Sequence, residues 1–263
     1  MTDEQPVHFP TDPDKFQFDE SVAEIFPNMA ERAIPLYREM HKLHAKILLD
    51  DYEEKMRWPP ASTYTVLDIG ASRAEFYQAI AAEAQRRDLS YLNIQYIPCD
   101  QSDAMIEATA KASRMRVHKY DLADPLDSSF DGHRFDAVCM HYVMQFIPLD
   151  WRGLAYERLS NFVKPEGLLF YGEKETLRSI NWWSDKEKRI ADSATSFYMD
   201  FRAEAGYSRE EIEAKTKALQ NSMWEVAYES DTSRNLEMLG FSRLIPTTRL
   251  GLFHSFVAIR GKG

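Results

Sequence analysis

Hydrophobic and polar positions follow two different periods along this chain. Five short apolar runs predict β-strands, and the stretches between several of them repeat apolar residues every three or four positions, as amphipathic helices do. The predicted strands are residues 64–68, 93–99, 115–120, 135–140 and 168–171. Strands and helices that alternate through short loops predict an α/β fold, in which a doubly wound, mostly parallel sheet carries helices on both faces.

Helical patterns without strands add two further parts to this fold. Residues 16–57 predict an N-terminal helical cover, and Pro27 and Pro35 are expected to break it into two or three helices. Residues 172–230 predict a helical insertion, in which Ser208 and Glu211 form a capping box.

The two ends of the chain differ in character. The last two β-rich segments, residues 241–247 and 253–259, are close enough in sequence to pair as an antiparallel hairpin at the sheet edge. Residues 1–15 are acidic and rich in proline, which predicts a flexible leader. We therefore expect one domain over residues 16–263.

Composition narrows the classes of protein that fit. The net charge of −10 disfavours a non-specific nucleic-acid binder, so a small-molecule partner is expected before a nucleic acid. No apolar run reaches the roughly 18 residues that a membrane span needs. The two cysteines, Cys99 and Cys139, lie in strand-like contexts, which predicts no disulfide framework, no metal site and a reducing cytoplasm as the location.

The turn after the first predicted strand points to a cofactor. In "VLDIGASRAEFYQAI" Gly70 is present, but Ser72 and Ala74 stand where a nucleotide-binding turn with three glycines at alternate positions carries the other two. A pyrophosphate requires all three glycines, because the backbone must approach it closely. S-adenosylmethionine has no phosphate and requires one close approach, so this turn favours S-adenosylmethionine over a dinucleotide.

Two carboxylates follow the next strands at the same edge of the sheet, where open α/β sheets bind ligands. Asp100 ends the second strand and could accept from two ribose hydroxyls. Asp121 follows the third and could accept from an exocyclic amine such as that of adenine, while the N–H of Leu122 could donate to a ring nitrogen. Together with Gly70 they predict an adenosine site.

Two further side chains have a functional and a structural interpretation each. His141 follows the fourth strand and could touch the cofactor or act as a general base, or it could be a satisfied, half-buried histidine. Tyr37 in the helical cover could face a sulfonium cation, although an aromatic residue at helical spacing is more often part of the core.

Several segments together resemble the class I S-adenosylmethionine-dependent methyltransferase family and, more narrowly, the carboxy-S-adenosylmethionine synthases. These segments are "FDESVAEIFPNM", "VLDIGAS", "CDQSDAMIE", "YVMQFI" and "DFRAEAGYSREEIEAKTKALQNSM". The last is the most specific, because it lies in the insertion and not in the general fold. The resemblance implies a Rossmann-like methyltransferase sheet with an antiparallel C-terminal strand, a homodimer and a link to modification of the transfer-RNA wobble uridine.

The resemblance also assigns candidate site residues. It implies that the adenosylated ligand, S-adenosylmethionine or carboxy-S-adenosylmethionine, contacts Tyr37, Gly70, Ala71, Ser72, Asp100, Gln101, Asp121, Leu122 and His141. The family has asparagine where this chain has His141. It has an arginine that grips the extra carboxylate where this chain has Thr216, beside Lys215, so these two residues are the candidate substrate-binding pair.

Three functions follow from these patterns, two of them enzymatic and one not. The favoured hypothesis is methyl transfer from S-adenosylmethionine to an unidentified acceptor, with His141 taking the proton of the nucleophile. The first alternative is synthesis of carboxy-S-adenosylmethionine from prephenate. The second is a non-catalytic binding or scaffold protein that keeps the fold.

Overall fold

A computed structural model describes residues 17–57, 63–89, 92–176, 184–220, 226–227 and 232–262. The predicted leader at residues 1–15 lies outside them. The helices are α1 (Glu20–Ala33), α2 (Tyr37–Lys55), α3 (Glu75–Arg86), α4 (Asp103–Ser113), α5 (Leu149–Phe162), α6 (Asp185–Glu204), α7 (Arg209–Gln220) and α8 (Thr232–Met238). The strands are β1 (Tyr64–Ile69), β2 (Ile94–Asp100), β3 (His118–Lys119), β4 (Phe135–His141), β5 (Val163–Thr176), β6 (Val226–Ala227), β7 (Phe241–Leu250) and β8 (Phe253–Arg260).

The sheet is doubly wound, as the alternating periods predict. Within the described ranges its strands run in the order β3-β2-β1-β4-β5-β8-β7, and β6 pairs with the far end of β5. The pairs from β3 to β5 are parallel, whereas β8 is antiparallel to both β5 and β7. The strand order reverses between β1 and β4, which is the position where such sheets bind ligands. The predicted fold class and the C-terminal antiparallel hairpin are confirmed.

Apolar side chains alternate between the two faces of the sheet, because successive strand residues point to opposite sides. On one face α2 and α3 pack over the strands, and this core includes Leu48, Phe76 and Cys139. On the other face α5 and α8 cover Val138, Met140 and their neighbours. The N-terminal cover is therefore partly a structural layer of the domain, since most of α2 lies on the sheet.

One predicted helix break is wrong. Pro35 does separate α1 from α2, but Pro27 lies inside α1, which continues to Ala33. Proline has no N–H, so it leaves the carbonyl of Ala23 without its helical donor. Arg73 Nη1 donates to that carbonyl at 2.9 Å, and this contact from the turn after β1 replaces the missing bond.

Strand β5 is longer than its apolar run predicts. The sequence places a strand at residues 168–171, but β5 begins at Val163, and its register against β4 shifts between Phe135 and Ala137. "KPEG" therefore bulges out of a continuous strand, with Glu166 at a φ of 61°. The strand then extends to Thr176, which brings Lys174 to the edge of the sheet where the candidate site lies.

Candidate functional site

A cavity of about 160 Å³ lies at the carboxyl ends of β1, β2 and β4, beside the point where the strand order reverses. The helical cover and the insertion close its other sides. Nearly all of the site residues predicted from the sequence line it: Tyr37, Gly70, Ala71, Ser72, Asp100, Gln101, Asp121, Leu122, His141 and Lys215. Thr216 does not line it.

The turn after β1 has the backbone shape of a three-glycine turn although two of the glycines are absent. Gly70, Ser72 and Ala74 have φ values of 68°, 52° and 60°. The left-handed conformation costs roughly 1–2 kcal/mol for a residue with a Cβ, so Ser72 and Ala74 are held there by their surroundings. Thr109 of α4 donates to the carbonyl of Ser72, and Glu75 accepts from Ser72 Oγ at 3.3 Å.

Gly70 is the one position in this turn where a side chain does not fit. A Cβ built on it would lie 2.5 Å from Val143 Cγ2, well inside van der Waals contact. Its N–H and that of Ala71 both donate to the carbonyl of Cys99, at 2.9 and 3.0 Å. The turn is therefore fixed against β2 and stays open toward the cavity.

Buried carboxyl groups form one end of the cavity. Asp68 at the end of β1 is 3% exposed and accepts from the hydroxyl of Tyr96. Burial raises the pKa of Asp68 to about 7, with smaller contributions from the charges of Glu75 and Asp100. Glu75 also lines the cavity, and burial raises its pKa. These groups favour a cationic group nearby, because it would stabilise their ionised forms.

Asp100 and Asp121 stand at the ends of neighbouring strands, as predicted. Burial raises the pKa of Asp100 to about 6, although backbone N–H groups, among them that of Ser102 at 3.0 Å, stabilise its ionised form. Asp121 Oδ1 accepts from the N–H of Ala123 at 2.9 Å, which fixes the direction of this carboxylate. Both side chains line the cavity, so two carboxylates are available to accept hydrogen bonds from one ligand.

Aromatic and histidine rings form another part of the cavity wall. Tyr37, the first residue of α2, is 7% exposed, and its ring centroid lies 4.5 Å from that of His41 and 6.1 Å from that of Tyr142. Tyr37 thus belongs both to the core and to the cavity wall. The structural and the functional interpretation of this residue are therefore compatible.

His141 lies in a group of three histidines. His41 and His44 of α2 place their ring centroids 5.0 and 5.1 Å from that of His141. His44 Nδ1 and His141 Nε2 are 3.0 Å apart and share a hydrogen bond. Burial lowers the pKa of His41 and of His44 to about 3 and lowers the pKa of His141 well below its usual value, so all three rings are neutral at pH 7. A neutral His141 has the basic nitrogen that a proton acceptor requires.

Cationic side chains form the opposite end of the cavity, at the insertion. Lys174 and Lys215 line it, and Arg202 lies directly behind at 1% exposure. We call these three residues the cationic cluster. Lys174 and Arg202 lie over the ring of Tyr198, and Lys215 lies over that of Tyr207, at 4.8, 5.5 and 5.2 Å from the ring centroids. Burial lowers the pKa of Lys215 well below its usual value, and the charges of Arg202 and Lys174 lower it further.

Thr216 supports the cationic cluster from behind the cavity wall. Its hydroxyl donates to the carbonyl of Ile212 at 2.7 Å and accepts from Arg202 Nη1 at 3.2 Å. Nε and Nη2 of Arg202 have no hydrogen-bond partner among the residues that the structure describes. An arginine is thus present near the candidate substrate end, but it comes from α6 and not from the position of Thr216.

Sequence reasoning missed several lining residues. His41, Lys174 and Tyr198 come from elements far apart in the chain, and no local motif joins them. The spacing of His41 and His44 was a usable signal, since residues three apart share one helix face. Among the described residues, no group of three or more His, Cys, Asp or Glu side chains is arranged to hold a metal ion. In the same ranges no helix is both long and apolar enough to cross a bilayer.

Comparison with known proteins agrees with this architecture. Residues 67–169 match the methyltransferase domain family. An O-methyltransferase family protein from Burkholderia thailandensis superposes with a TM-score of 0.59 at 15% identity, covering 94% of this chain and 61% of that one. The CurJ carbon methyltransferase gives 0.59 at 14% identity, covering 93% and 62%. The chain spans about three fifths of these two structures, which share its fold. The fold and the site thus define an S-adenosylmethionine-dependent transferase.

Curated relatives narrow the family. The carboxy-S-adenosyl-L-methionine synthase of Campylobacter concisus is 30% identical over 250 residues, which cover 94% of this chain and 95% of that protein. The protein of the same name from Desulfotalea psychrophila is 26% identical and covers 99% of both chains. This chain belongs to the carboxy-S-adenosyl-L-methionine synthase family.

Proposed function

We propose that the cavity binds S-adenosylmethionine and that the protein transfers its methyl group to an acceptor whose nucleophilic atom carries a proton. The observation that carries this proposal is the convergence of Gly70, Asp100 and Asp121 on one cavity at the strand reversal. Carboxylates at the strand ends suit hydroxyl and amine donors, and the turn makes one close backbone approach without a phosphate.

Each part of the cavity has a separate task in this proposal. Asp100 accepts from the ribose hydroxyls, and Asp121 with the N–H of Leu122 orients the adenine ring. Asp68 and Glu75 favour a positively charged amino group, since both are buried carboxyl groups. The ring of Tyr37 faces the cavity and suits a sulfonium cation.

The remaining residues act on the acceptor. When bound, S-adenosylmethionine supplies an electrophilic methyl carbon, whose bond to sulfur breaks with its electron pair going to sulfur. The helical cover and the insertion exclude water, so the acceptor is the nucleophile nearest the methyl group. His141, neutral and at the cavity wall, accepts the proton that the acceptor loses.

Binding of S-adenosylmethionine to Asp100→Ala tests the adenosine site. The variant loses both acceptors for the ribose hydroxyls, and hydrogen bonds to a charged group contribute about 1.5–3 kcal/mol each, so the dissociation constant should rise at least tenfold. Isothermal titration calorimetry measures it. Asp103→Ala is the control, because Asp103 is exposed at the start of α4 and bonds Lys119 instead. Equal affinity of Asp100→Ala and wild type contradicts the proposal.

The cationic cluster favours carboxy-S-adenosylmethionine synthesis, from prephenate, as the second candidate function. Lys174, Arg202 and Lys215 attract an anionic group, and the relatives from Campylobacter concisus and Desulfotalea psychrophila are named for that product. Mass spectrometry of the ligand retained after purification separates the two candidates. A mass equal to S-adenosylmethionine plus a carboxyl group supports the synthase, and we then expect Lys215→Met to lose that ligand. S-adenosylmethionine or S-adenosylhomocysteine alone supports methyl transfer.

The same proposal extends to partners and location. The net charge of −10 favours a small-molecule acceptor over a nucleic acid. By resemblance to the family we propose a cytoplasmic homodimer without a membrane partner, and light scattering after size exclusion checks the dimer. If the product is carboxy-S-adenosylmethionine, modification of the transfer-RNA wobble uridine is the process that it would supply.

A further inference from the structure

A continuous line of hydrogen bonds leads from the cavity to the edge of the sheet. His141 Nε2 lies 3.0 Å from His44 Nδ1, and His44 Nε2 lies 2.7 Å from Thr247 Oγ1. Thr247 Oγ1 is 2.7 Å from Ser255 Oγ, which is 2.7 Å from Thr248 Oγ1. His141 lines the cavity, whereas Thr247 and Thr248 are half-buried on β7 and reach solvent.

A β-bulge places Thr247 in this line. Pro246 pairs with Phe256 and Thr248 pairs with Ser255, so Thr247 is the extra residue of the bulge between them. Bulges redirect a side chain out of the regular alternation, and they occur often beside active sites. The hydroxyls of two consecutive threonines thereby both reach Ser255, and the first of them also reaches His44.

We propose that His141, His44, Thr247, Ser255 and Thr248 form a proton relay that carries the acceptor's proton from the cavity to solvent at β7. His141 is the catalytic residue in this relay because it faces the cavity. His44, Thr247, Ser255 and Thr248 act through it and are positioning residues.

The protons balance along this line. At the start, His141 Nε2–H donates to His44 Nδ1, and His44 Nε2–H donates to Thr247 Oγ1. Nδ1 of His141 is unprotonated. When Nδ1 accepts a proton, each bridging proton moves one step outward and the hydroxyl of Thr248 releases one to water. One proton enters and one leaves, so each group ends neutral with its donor and acceptor roles reversed.

Burial explains why a relay is needed. It lowers the pKa of His44 to about 3 and the pKa of His141 well below its usual value, so neither ring holds a positive charge at neutral pH. A base in this place acts only if it passes a proton on. The third ring, His41, lies tilted beside His141 and makes a charge on it still less favourable.

This inference rests on the proposed function and specifies its acceptor class. A relay is useful for a nucleophile that loses a proton on methylation, such as a hydroxyl, an amine or an enolisable carbon. It serves no purpose for an acceptor that has no proton to lose, such as a thioether or a tertiary amine.

The test is the position of the proton on His141, read by ¹⁵N NMR of protein labelled at histidine. In Thr247→Val, His44 Nε2 loses its acceptor. Buried N–H groups without an acceptor are rarer than buried acceptors without a donor. The proton of His44 should therefore move from Nε2 to Nδ1. That proton then donates to His141 Nε2, and His141 should carry its own proton on Nδ1. Wild type should have Nδ1 of His141 bare.

Two variants serve as controls. Thr247→Ser keeps the hydroxyl and should restore the wild-type spectrum, whereas Ser242→Ala removes an exposed hydroxyl of β7 outside the line and should change nothing at His141. An unchanged His141 in Thr247→Val, or an equal change in Thr247→Ser, overturns the relay, since packing alone would then explain the contact.

Acylation by diethyl pyrocarbonate gives a second measurement, because the reagent attacks bare imidazole nitrogens. The rate of acylation at His141, followed by peptide mass spectrometry, should fall by about fivefold in Thr247→Val. This factor corresponds to the free energy of one neutral hydrogen bond. The exposed His133 should react equally in both proteins. Equal rates at His141 overturn the relay. Both measurements use the protein alone, so failure to bind S-adenosylmethionine would remove the proposed function without deciding this test.

Discussion

At the scale of single residues, the cavity combines groups that stand at strand ends with groups that distant elements place beside them. The sequence identifies Gly70, Asp100 and Asp121, because parallel strands end at one edge of a sheet. The sequence does not identify Arg202, since its role depends on how α6 packs, and the spacing of His41 and His44 indicates only that these two residues share one helix face. Thr216 shows that a residue's role does not always transfer by sequence position. The guanidinium at this place belongs to Arg202, which is close to Thr216 in space but not in sequence.

Gly70 allows a test of the close approach in the turn. Gly70→Ala places a Cβ 2.5 Å from Val143 Cγ2 at a positive φ, so the free energy of unfolding should fall by roughly 1–2 kcal/mol and binding of S-adenosylmethionine should weaken. Adding Val143→Ala leaves the nearest contact at 3.8 Å and should recover part of both losses. Urea unfolding and calorimetry measure them. No recovery in the double variant would show that backbone conformation alone matters.

Glu173 gives the ligand-free protein a specific pH dependence. Burial raises the pKa of Glu173 from 4.5 to about 8, although the N–H groups of Lys174 and Gln145 stabilise its ionised form. Between these values the folded state holds a proton that the unfolded state has lost, so the free energy of unfolding falls as pH rises, by about 1.4 kcal/mol per unit.

Glu173→Gln mimics the protonated side chain and should remove this loss. The informative window is pH 6.5 to 8, since His41 and His44, whose pKa burial lowers from 6.5 to about 3, increase stability with pH only below it. Denaturant unfolding at several pH values compares the variant with wild type. Identical slopes in that window would mean that Glu173 is ionised in the folded protein.

At the scale of elements, periodicity predicts the order of strands and helices, and tertiary contacts decide the exceptions. The hydrophobic pattern alone predicts β1, α3, β2 and α4, because α3 and α4 each bury one face and β1 and β2 are short apolar runs. The sequence predicts that a helix ends at Pro27, but Arg73 from another segment replaces the missing hydrogen bond. The two-residue strand β6 has too few residues for any pattern to predict.

The contact between Arg73 and α1 is testable by a double-mutant cycle. Arg73→Met leaves the carbonyl of Ala23 without a donor and should lower the free energy of unfolding by about 1–3 kcal/mol. In the background of Pro27→Ala, whose N–H can bond Ala23 itself, the same change should cost less. Thermal and urea unfolding of the four proteins measure the difference. If the effects of the two substitutions on the free energy of unfolding are strictly additive, Arg73 does not replace the hydrogen bond that Pro27 removes.

At the scale of the whole molecule, the cover, the sheet and the insertion enclose one cavity with opposite charges at its two ends. Acidic groups lie at β1 and β2, and cationic groups lie at the insertion, so a ligand with an amine at one end and an acid at the other fits its polarity. Composition and net charge indicate a small-molecule enzyme but not this polarity, because it arises from distant segments, in which even Asp100 and Lys174 are 74 positions apart.

Ligand binding to the intact protein should therefore raise its thermal stability. S-adenosylmethionine at one hundred times its dissociation constant should stabilise the folded state by about 2.7 kcal/mol, because it binds only that state. For a chain of this size the melting temperature should rise by roughly 5–10 °C. Differential scanning calorimetry measures it, with adenosine triphosphate as a control that carries phosphates. An unchanged melting temperature would favour a scaffold protein over an enzyme.

The left-handed torsions at positions 70, 72 and 74 have a consequence for recognising such proteins. A pattern search that requires glycine at all three would discard this chain, whereas a search on torsion angles would retain it. Substitution of glycines by small residues can remove the consensus sequence while the backbone keeps its conformation. Nucleoside sites of this kind are therefore identified more completely by backbone torsion angles than by a glycine consensus sequence.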